Sequence, residues 1–313
     1  MTWPSSSFCR RGAGLCLPLP QVVCRQAGGY WRITPSAPFS RGLTSGSSVV
    51  FPNSDTAVIP SRYTVLQRLG GGAQGTVYLV RDTRGGVGNR LALKVCAADP
   101  DTQDALRHEG QVLTALGGLC GPRLYESRPR SLVMDYIPGQ SWGMARTGAG
   151  RKRALGWLRH AAQEVALLHD AGWCHGDLKP DNILCLPDGS ARIIDFGAAR
   201  RRFDDAQATE PFCVNDGQYW TTPAYAPPPR ERADIRDDVY SMAVMLHDVL
   251  VGKLPEGSGA ACITPRPAGV SATGWTVLRR ALSPDRTQRP WDVMALVRAV
   301  IPSGFTFWLR RAA

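Results

Sequence analysis

Between His175 and Asn182 the chain reads His-Gly-Asp-Leu-Lys-Pro-Asp-Asn, which sets carboxylates, an ammonium and a carboxamide within eight residues. Asp177 can accept a proton from a hydroxyl nucleophile, Lys179 can neutralise a transferring phosphoryl group, and Asn182 can ligate a metal. Thirteen positions beyond Asn182 stands Asp195-Phe196-Gly197, at the end of the apolar run Ala191 to Ile194. A carboxylate at a strand end is well placed to hold a hard cation such as Mg²⁺. Any one of these groups is also what a polar loop offers. In this order they point to phosphoryl transfer.

Upstream, Gly70-Gly71-Gly72-Ala73-Gln74-Gly75-Thr76-Val77 fits the pattern G-x-G-x-x-G-x-V. Glycines let a backbone approach phosphates closely and offer them N–H groups. With 33 glycines in the chain a chance match is easy, so context decides. A dinucleotide fingerprint opens a helix, whereas these glycines run into a β-branched strand, Thr76 to Val80. That predicts a hairpin over the phosphates. Lys94 lies in Leu91-Ala92-Leu93-Lys94-Val95, where a period of two puts Ala92 and Lys94 on one face. A lysine inside an apolar strand is costly without an anionic partner. Glu109 is the candidate, because helical steps link Leu106, Glu109, Leu113 and Leu116 on one stripe. An edge-strand lysine and an unrelated surface glutamate satisfy the same pattern, and the residues alone leave both readings open.

The elements that must carry these groups follow from periodicity. The runs Thr76–Val80 and Leu91–Val95 are hairpin partners across the turn Thr83 to Arg90. A helix bearing Leu106, Val112, Leu113 and Leu116 follows, then a strand at Leu132 to Met134. After Gly150 the spacing of Leu155, Leu158, Ala162, Val165 and Leu168 is helical. Two short strands, Ile183 to Leu186 and Ala191 to Ile194, flank the turn Pro187-Asp188-Gly189-Ser190, and the chain beyond Asp237 is helical in texture. A strand-rich first third before a helical remainder argues for an α+β protein with two lobes.

Over roughly residues 62 to 301 the chain resembles the eukaryotic-type protein serine/threonine kinases, a family also found in bacteria, whose motif set these residues reproduce. The resemblance implies a bilobal fold, with a small β-rich N-terminal lobe and a larger helical C-terminal lobe. It implies ATP, Mg²⁺ and a protein substrate with a Ser/Thr acceptor. By the same resemblance Gly70, Gly72, Gly75 and Val77 cover the nucleotide. Lys94 contacts its α- and β-phosphates while pairing with Glu109. Asp177 is implied to be the catalytic base, Lys179 the γ-phosphate contact, and Asn182 and Asp195 the Mg²⁺ ligands. Met134 resembles the gatekeeper, Asp135 and Ile137 the hinge whose backbone holds adenine, and Ala92 and Leu184 the pair that sandwiches the base. Thr222-Pro223-Ala224-Tyr225 resembles the end of an activation segment, with the Thr222 hydroxyl supporting Asp177 and Lys179, and Asp238 heads the helix that anchors the catalytic loop. Lys179 and Thr222 fit the Ser/Thr class rather than the tyrosine-specific one.

Three departures stand out. Gly176 replaces the arginine that usually follows the catalytic histidine. Pro227-Pro228-Pro229 replaces Ala-Pro-Glu, so Arg289 is expected to find another partner, such as Glu231. The Lys94-to-Glu109 spacing is short. Two other functions stay in view: a pseudokinase scaffold, favoured by the missing glutamate, and a small-molecule phosphotransferase of the antibiotic-kinase type, where His-Gly-Asp is common.

The chain has 313 residues and a formal charge of +11. Residues 1–60 hold five arginines, one acid, seven prolines and nine serines, which reads as a weakly ordered tail or an organelle transit peptide. Residues 61–303 are expected to form the kinase domain and 304–313 a short C-terminal tail. No finger spacing or aromatic-basic repeat suggests specific nucleic-acid binding. The most apolar stretch, Val239 to Val251, is broken by Ser241, His247 and Asp248, against the ~20 apolar residues that a membrane span needs. Nine cysteines without a CxxC pair argue for a reducing compartment, hence a cytoplasmic protein unless the tail targets it to an organelle.

Overall fold

The structure, a computed structural model, describes residues 59–72, 74–85, 90–202, 222–228, 233–256 and 265–301. The expected basic tail, apart from Ile59 and Pro60, and the expected C-terminal tail lie outside these residues, as do Thr209, Thr221, Pro229 and Glu231.

The N-terminal lobe is a five-stranded antiparallel sheet in the order β1-β2-β3-β5-β4. Its strands are β1 (Tyr63–Gly72), β2 (Gly75–Asp82), β3 (Leu91–Val95), β4 (Leu124–Arg128) and β5 (Ser131–Asp135). The alternation read from β3 divides its side chains between two cores. Leu91, Leu93 and Val95 join Tyr63, Tyr78, Val80 and Val133 on one face. Ala92 faces the other way, into the main core with Leu132, Met134 and Leu106. Two strands lacked a periodic signal. β1 is mostly solvent-facing and ends in three glycines, and β4 buries none of its five residues. A strand held by backbone pairing rather than by an apolar face leaves little trace in residue types.

Helix α1 (Pro100–Leu116) packs on this sheet. The Asp99 carboxylate caps it by accepting from Thr102 N–H, Pro100 occupies the first turn, and Gly117 ends it at φ 57°. Only four residues separate β3 from α1, so a Lys94-to-Glu109 spacing of fifteen is enough to bring the two side chains together.

The C-terminal lobe is built on α3 (Arg151–Asp170) and α4 (Ile235–Val251), with α5 (Ala272–Ala281) and α6 (Val293–Val300) packed around them. A single helical turn, α2 (Trp142–Ala145), precedes α3. The apolar face of α3 presents Leu155, Leu158, Ala162, Val165 and Leu168 to the core, as its spacing predicts. In α4 twelve of seventeen residues are buried, which explains a stretch apolar almost all round in a central helix. Short strands complete the lobe. β6 (Gln140–Ser141) pairs with β8 (Ile183–Cys185), β8 with β9 (Ala191–Ile193), and β7 (Trp173–Cys174) with β10 (Arg200–Arg201). The fold is bilobal, with a β-rich N-terminal and a helical C-terminal lobe. No helix among the described residues is long and apolar enough to cross a membrane.

Candidate active site

Lys94 is buried at the centre of the site. Its Nζ donates to Glu109 Oε2 at 2.6 Å and to Asp195 Oδ1 at 2.8 Å. The reading in which Lys94 is an exposed edge-strand residue is therefore excluded, and its partner is the glutamate on the apolar stripe of α1. Glu109 does a second job, since its Oε1 accepts the Phe196 N–H at 3.4 Å. Burial pushes the Lys94 ammonium down, but the Asp195 and Glu109 charges outweigh it and raise its pKa. Burial likewise pushes Asp195 up, and the Lys94 charge and hydrogen bond override it, holding this carboxyl below its ordinary range.

Asp195 has φ 68°, the one described non-glycine residue in the left-handed region. Such a backbone costs on the order of 1 kcal/mol and persists where its surroundings over-determine it. Here the Lys94 contact on one side and the fully buried Phe196 on the other supply that constraint. The Phe196 ring centroid lies 5.3 Å from that of His175.

The segment 175–182 hangs from α4. Asp238 Oδ2 accepts from His175 N–H at 2.7 Å and hydrogen-bonds His169 Nε2 at 2.8 Å, while its Oδ1 accepts from Gly176 N–H at 3.0 Å. Gly176 is required by its backbone. It sits at φ 79°, and a Cβ there would lie 2.5 Å from the Ala198 carbonyl oxygen. Asp177 Oδ2 accepts from Lys179 Nζ at 2.5 Å, and Asn182 Nδ2 donates to the Asp177 carbonyl at 2.9 Å. The Thr222 contact to Asp177 differs from expectation: it runs through the backbone N–H, 2.9 Å from Asp177 Oδ1.

With its amide nitrogen committed to Asp177, Asn182 has its carbonyl oxygen left for a cation. Together with the Asp195 carboxylate this makes an all-oxygen donor pair. That set fits Mg²⁺, which is bound through one or two protein ligands plus substrate phosphates and retained waters. The described residues contain no cluster of three or more His, Cys, Asp or Glu able to hold a metal by themselves.

The glycine-rich segment is a hairpin, as expected, with Gly70 opposite Val77 and Gly72 opposite Gly75. Gly75, at φ 133°, packs so tightly on the Val95 carbonyl that no Cβ fits. Val77 is half-buried and lies opposite Lys94, and Ala92 lies opposite Met134. The Asp135 side chain accepts from Tyr125 Oη, on β4, at 2.6 Å and from Arg123 N–H, just before that strand, at 3.0 Å. The Ile137 carbonyl accepts from Gly139 N–H at 2.9 Å. Leu184, on β8, lies against Gly139, just beyond this connection between the lobes.

Arg289 is buried and forms its ion pair with Asp237 Oδ1 at 2.9 Å. Its other N–H groups donate to the carbonyls of Ser283, Arg236 and Pro284. The acid that sequence reasoning offered, Glu231, lies outside the described residues. The partner found sits beside Asp238 at the start of α4, a second acid that the sequence displayed but that has no motif of its own.

Residues 63–262 match the protein kinase domain family, and the chain belongs to that family. It is 32% identical over 217 residues to serine/threonine-protein kinase pkn2 of Myxococcus xanthus, an alignment covering 64% of this chain and 26% of that protein. It is 30% identical over 222 residues to serine/threonine-protein kinase PknA of Mycobacterium tuberculosis, covering 64% of this chain and 50% of that one. PknL of the same species is 30% identical over 215 residues, at 64% and 52% coverage. The chain thus spans about a quarter to a half of the length of these curated bacterial relatives.

Proposed function

We propose that this chain is an ATP- and Mg²⁺-dependent protein serine/threonine kinase. The observation that carries the reading is the three-way contact of Lys94 with Glu109 and Asp195, set beside the Asp177–Lys179–Asn182 loop. Phosphoryl transfer needs little covalent chemistry from a protein, and its catalysis is almost wholly positioning and charge stabilisation.

The backbone of Gly70, Gly72 and Gly75 covers the phosphates, and Lys94, held by Glu109, binds the α- and β-phosphate oxygens. Val77, Ala92 and Leu184 enclose the base, while the Asp135 carbonyl and Ile137 N–H serve its polar edge. Asp195 and Asn182 would hold Mg²⁺, which neutralises phosphate charge when bound. Asp177 takes the proton of a substrate Ser or Thr hydroxyl as the new O–P bond forms and the bond from the γ-phosphorus to ADP breaks. Lys179 stabilises the charge on the group in transit. Among the described residues the cysteines Cys96, Cys120, Cys174 and Cys185 are buried and unpaired, which suits a reducing compartment, and we place the protein in the cytoplasm.

The test offers γ-labelled ATP together with a generic basic protein and an aminoglycoside. Label on serine or threonine of the protein supports the reading. Label on the aminoglycoside supports a small-molecule phosphotransferase, and no label on either supports a scaffold.

A further inference from the structure

Gln74 sits at the tip of the glycine-rich hairpin, between β1 and β2, and its side chain turns inward. Its Oε1 lies 3.4 Å from Lys94 Nζ. The same carboxamide lies over Gly197: a Cβ at Gly197 would be 2.8 Å from Gln74 Oε1 and 3.2 Å from Nε2. The hairpin tip and the turn after Asp195 therefore meet through one polar side chain.

An ammonium has three hydrogens to donate. In Lys94 they are directed to Glu109 at 2.6 Å, to Asp195 at 2.8 Å and to Gln74 at 3.4 Å. Two of these acceptors are carboxylates at short range. The third is a neutral amide oxygen at long range, and hence the weakest of the three. A phosphate oxygen arriving at Lys94 must take the place of one acceptor, and Gln74 is the one whose loss costs least.

We propose that Gln74 is an intramolecular competitor for nucleotide phosphate: its amide oxygen occupies the Lys94 position that a phosphate oxygen takes, and so lowers nucleotide affinity. The proposal rests on the kinase reading above. Binding to a protein whose competent state is only partly populated is weakened by that fraction, so removing the competitor tightens binding. The gain is small, because one long hydrogen bond to a charged group is given up on nucleotide binding, not a carboxylate contact. We expect about three- to fivefold.

The experiment is calorimetric titration of the full chain, and of Gln74→Met and Gln74→Ala, with ADP and separately with adenosine. Met keeps the length of Gln without its amide, and Ala removes the side chain altogether. The expected result is an ADP Kd lowered about three- to fivefold in both variants, with the adenosine Kd unchanged, since adenosine has no phosphate to compete for Lys94. An unchanged or weaker ADP affinity overturns the proposal, weaker binding meaning that Gln74 holds the phosphates itself. Equal tightening for adenosine also overturns it, by placing the effect away from Lys94. A wild-type chain that binds neither ligand overturns the kinase reading and this proposal with it. Wild-type binding with no gain in the variants overturns this proposal alone.

Discussion

Gly121, in the loop that follows α1, presses on the ring of Phe196 so closely that a Cβ at 121 would lie 2.6 Å from the phenyl Cζ. The loop is fixed from behind. Its Gly121 N–H donates to Glu164 Oε2 at 3.0 Å, its carbonyl accepts from Arg192 at 2.5 Å, and Arg192 and Glu164 pair at 2.9 Å. Because Phe196 adjoins Asp195, this glycine bears on the placement of the proposed metal ligand from the far side of the aromatic ring.

Gly121→Ala should therefore cost both stability and function. The glycine has φ 67°, where an alanine is strained by about 1 kcal/mol, and overpacking against the ring adds about 1–3 kcal/mol. We predict a clearly lower melting temperature and at least a tenfold loss of phosphoryl transfer, measured at a temperature where the variant is folded. A variant matching wild type on both counts would show that the loop and ring move apart freely.

Acid stability should depend on Asp238. Burial pushes its carboxyl up, but the hydrogen bond and charge of His169, the charge of His175 and the Gly176 N–H prevail and hold it below the usual range. A carboxyl with a depressed folded pKa contributes stability that is fully present above the unfolded value of about 3.9 and is lost as pH falls through the folded pKa. Asp238→Asn should destabilise the protein at pH 7 by on the order of 3 kcal/mol, because buried donors lose a charged acceptor. The gap between variant and wild type should narrow below about pH 4. Urea unfolding from pH 7 to pH 3 measures it, and a gap that stays constant across that range contradicts the assignment.

Much of this site was readable because its chemistry is concentrated in short contiguous segments. His175 to Asn182 and Asp195 to Gly197 each declare their groups within a few residues, and the alternation in β3 sets Lys94 on the face of Ala92, though it does not decide between a buried pair with Glu109 and an exposed edge position. What stayed hidden are contacts between distant positions: Gln74 with Lys94, Gly121 with Phe196, Glu164 with Arg192, and Asp237 with Arg289. None of these pairs has a spacing rule, since only the folded chain brings them together. Gly176 is a different case. It reads as the loss of an arginine, whereas the backbone shows a position with no room for a Cβ unless Ala198 moves.

Gly176 also bears on control. Phosphorylating an activation loop orders it by giving arginines a dianion to grip, and at position 176 there is no guanidinium beside Asp177. Asp177 is already contacted by the Thr222 N–H. We predict that enzyme stripped by a phosphatase phosphorylates substrate in its first turnovers at a rate similar to untreated enzyme. A tenfold or larger lag, abolished by prior incubation with ATP, would show that loop phosphorylation controls activity.

The central claim is that the contact of Lys94 with Asp195 is the phosphate- and metal-binding core of a protein kinase. Single-turnover transfer from γ-labelled ATP to a basic protein, comparing wild type with Asp195→Asn, tests it most directly. The substitution leaves the Lys94–Glu109 pair available to hold α1 in place, so circular dichroism should show a folded variant. We predict Mg²⁺-dependent labelling of serine or threonine by wild type, and a rate lower by orders of magnitude in the folded Asp195→Asn protein. Equal rates in the two proteins, or no Ser/Thr labelling by wild type, would contradict the account.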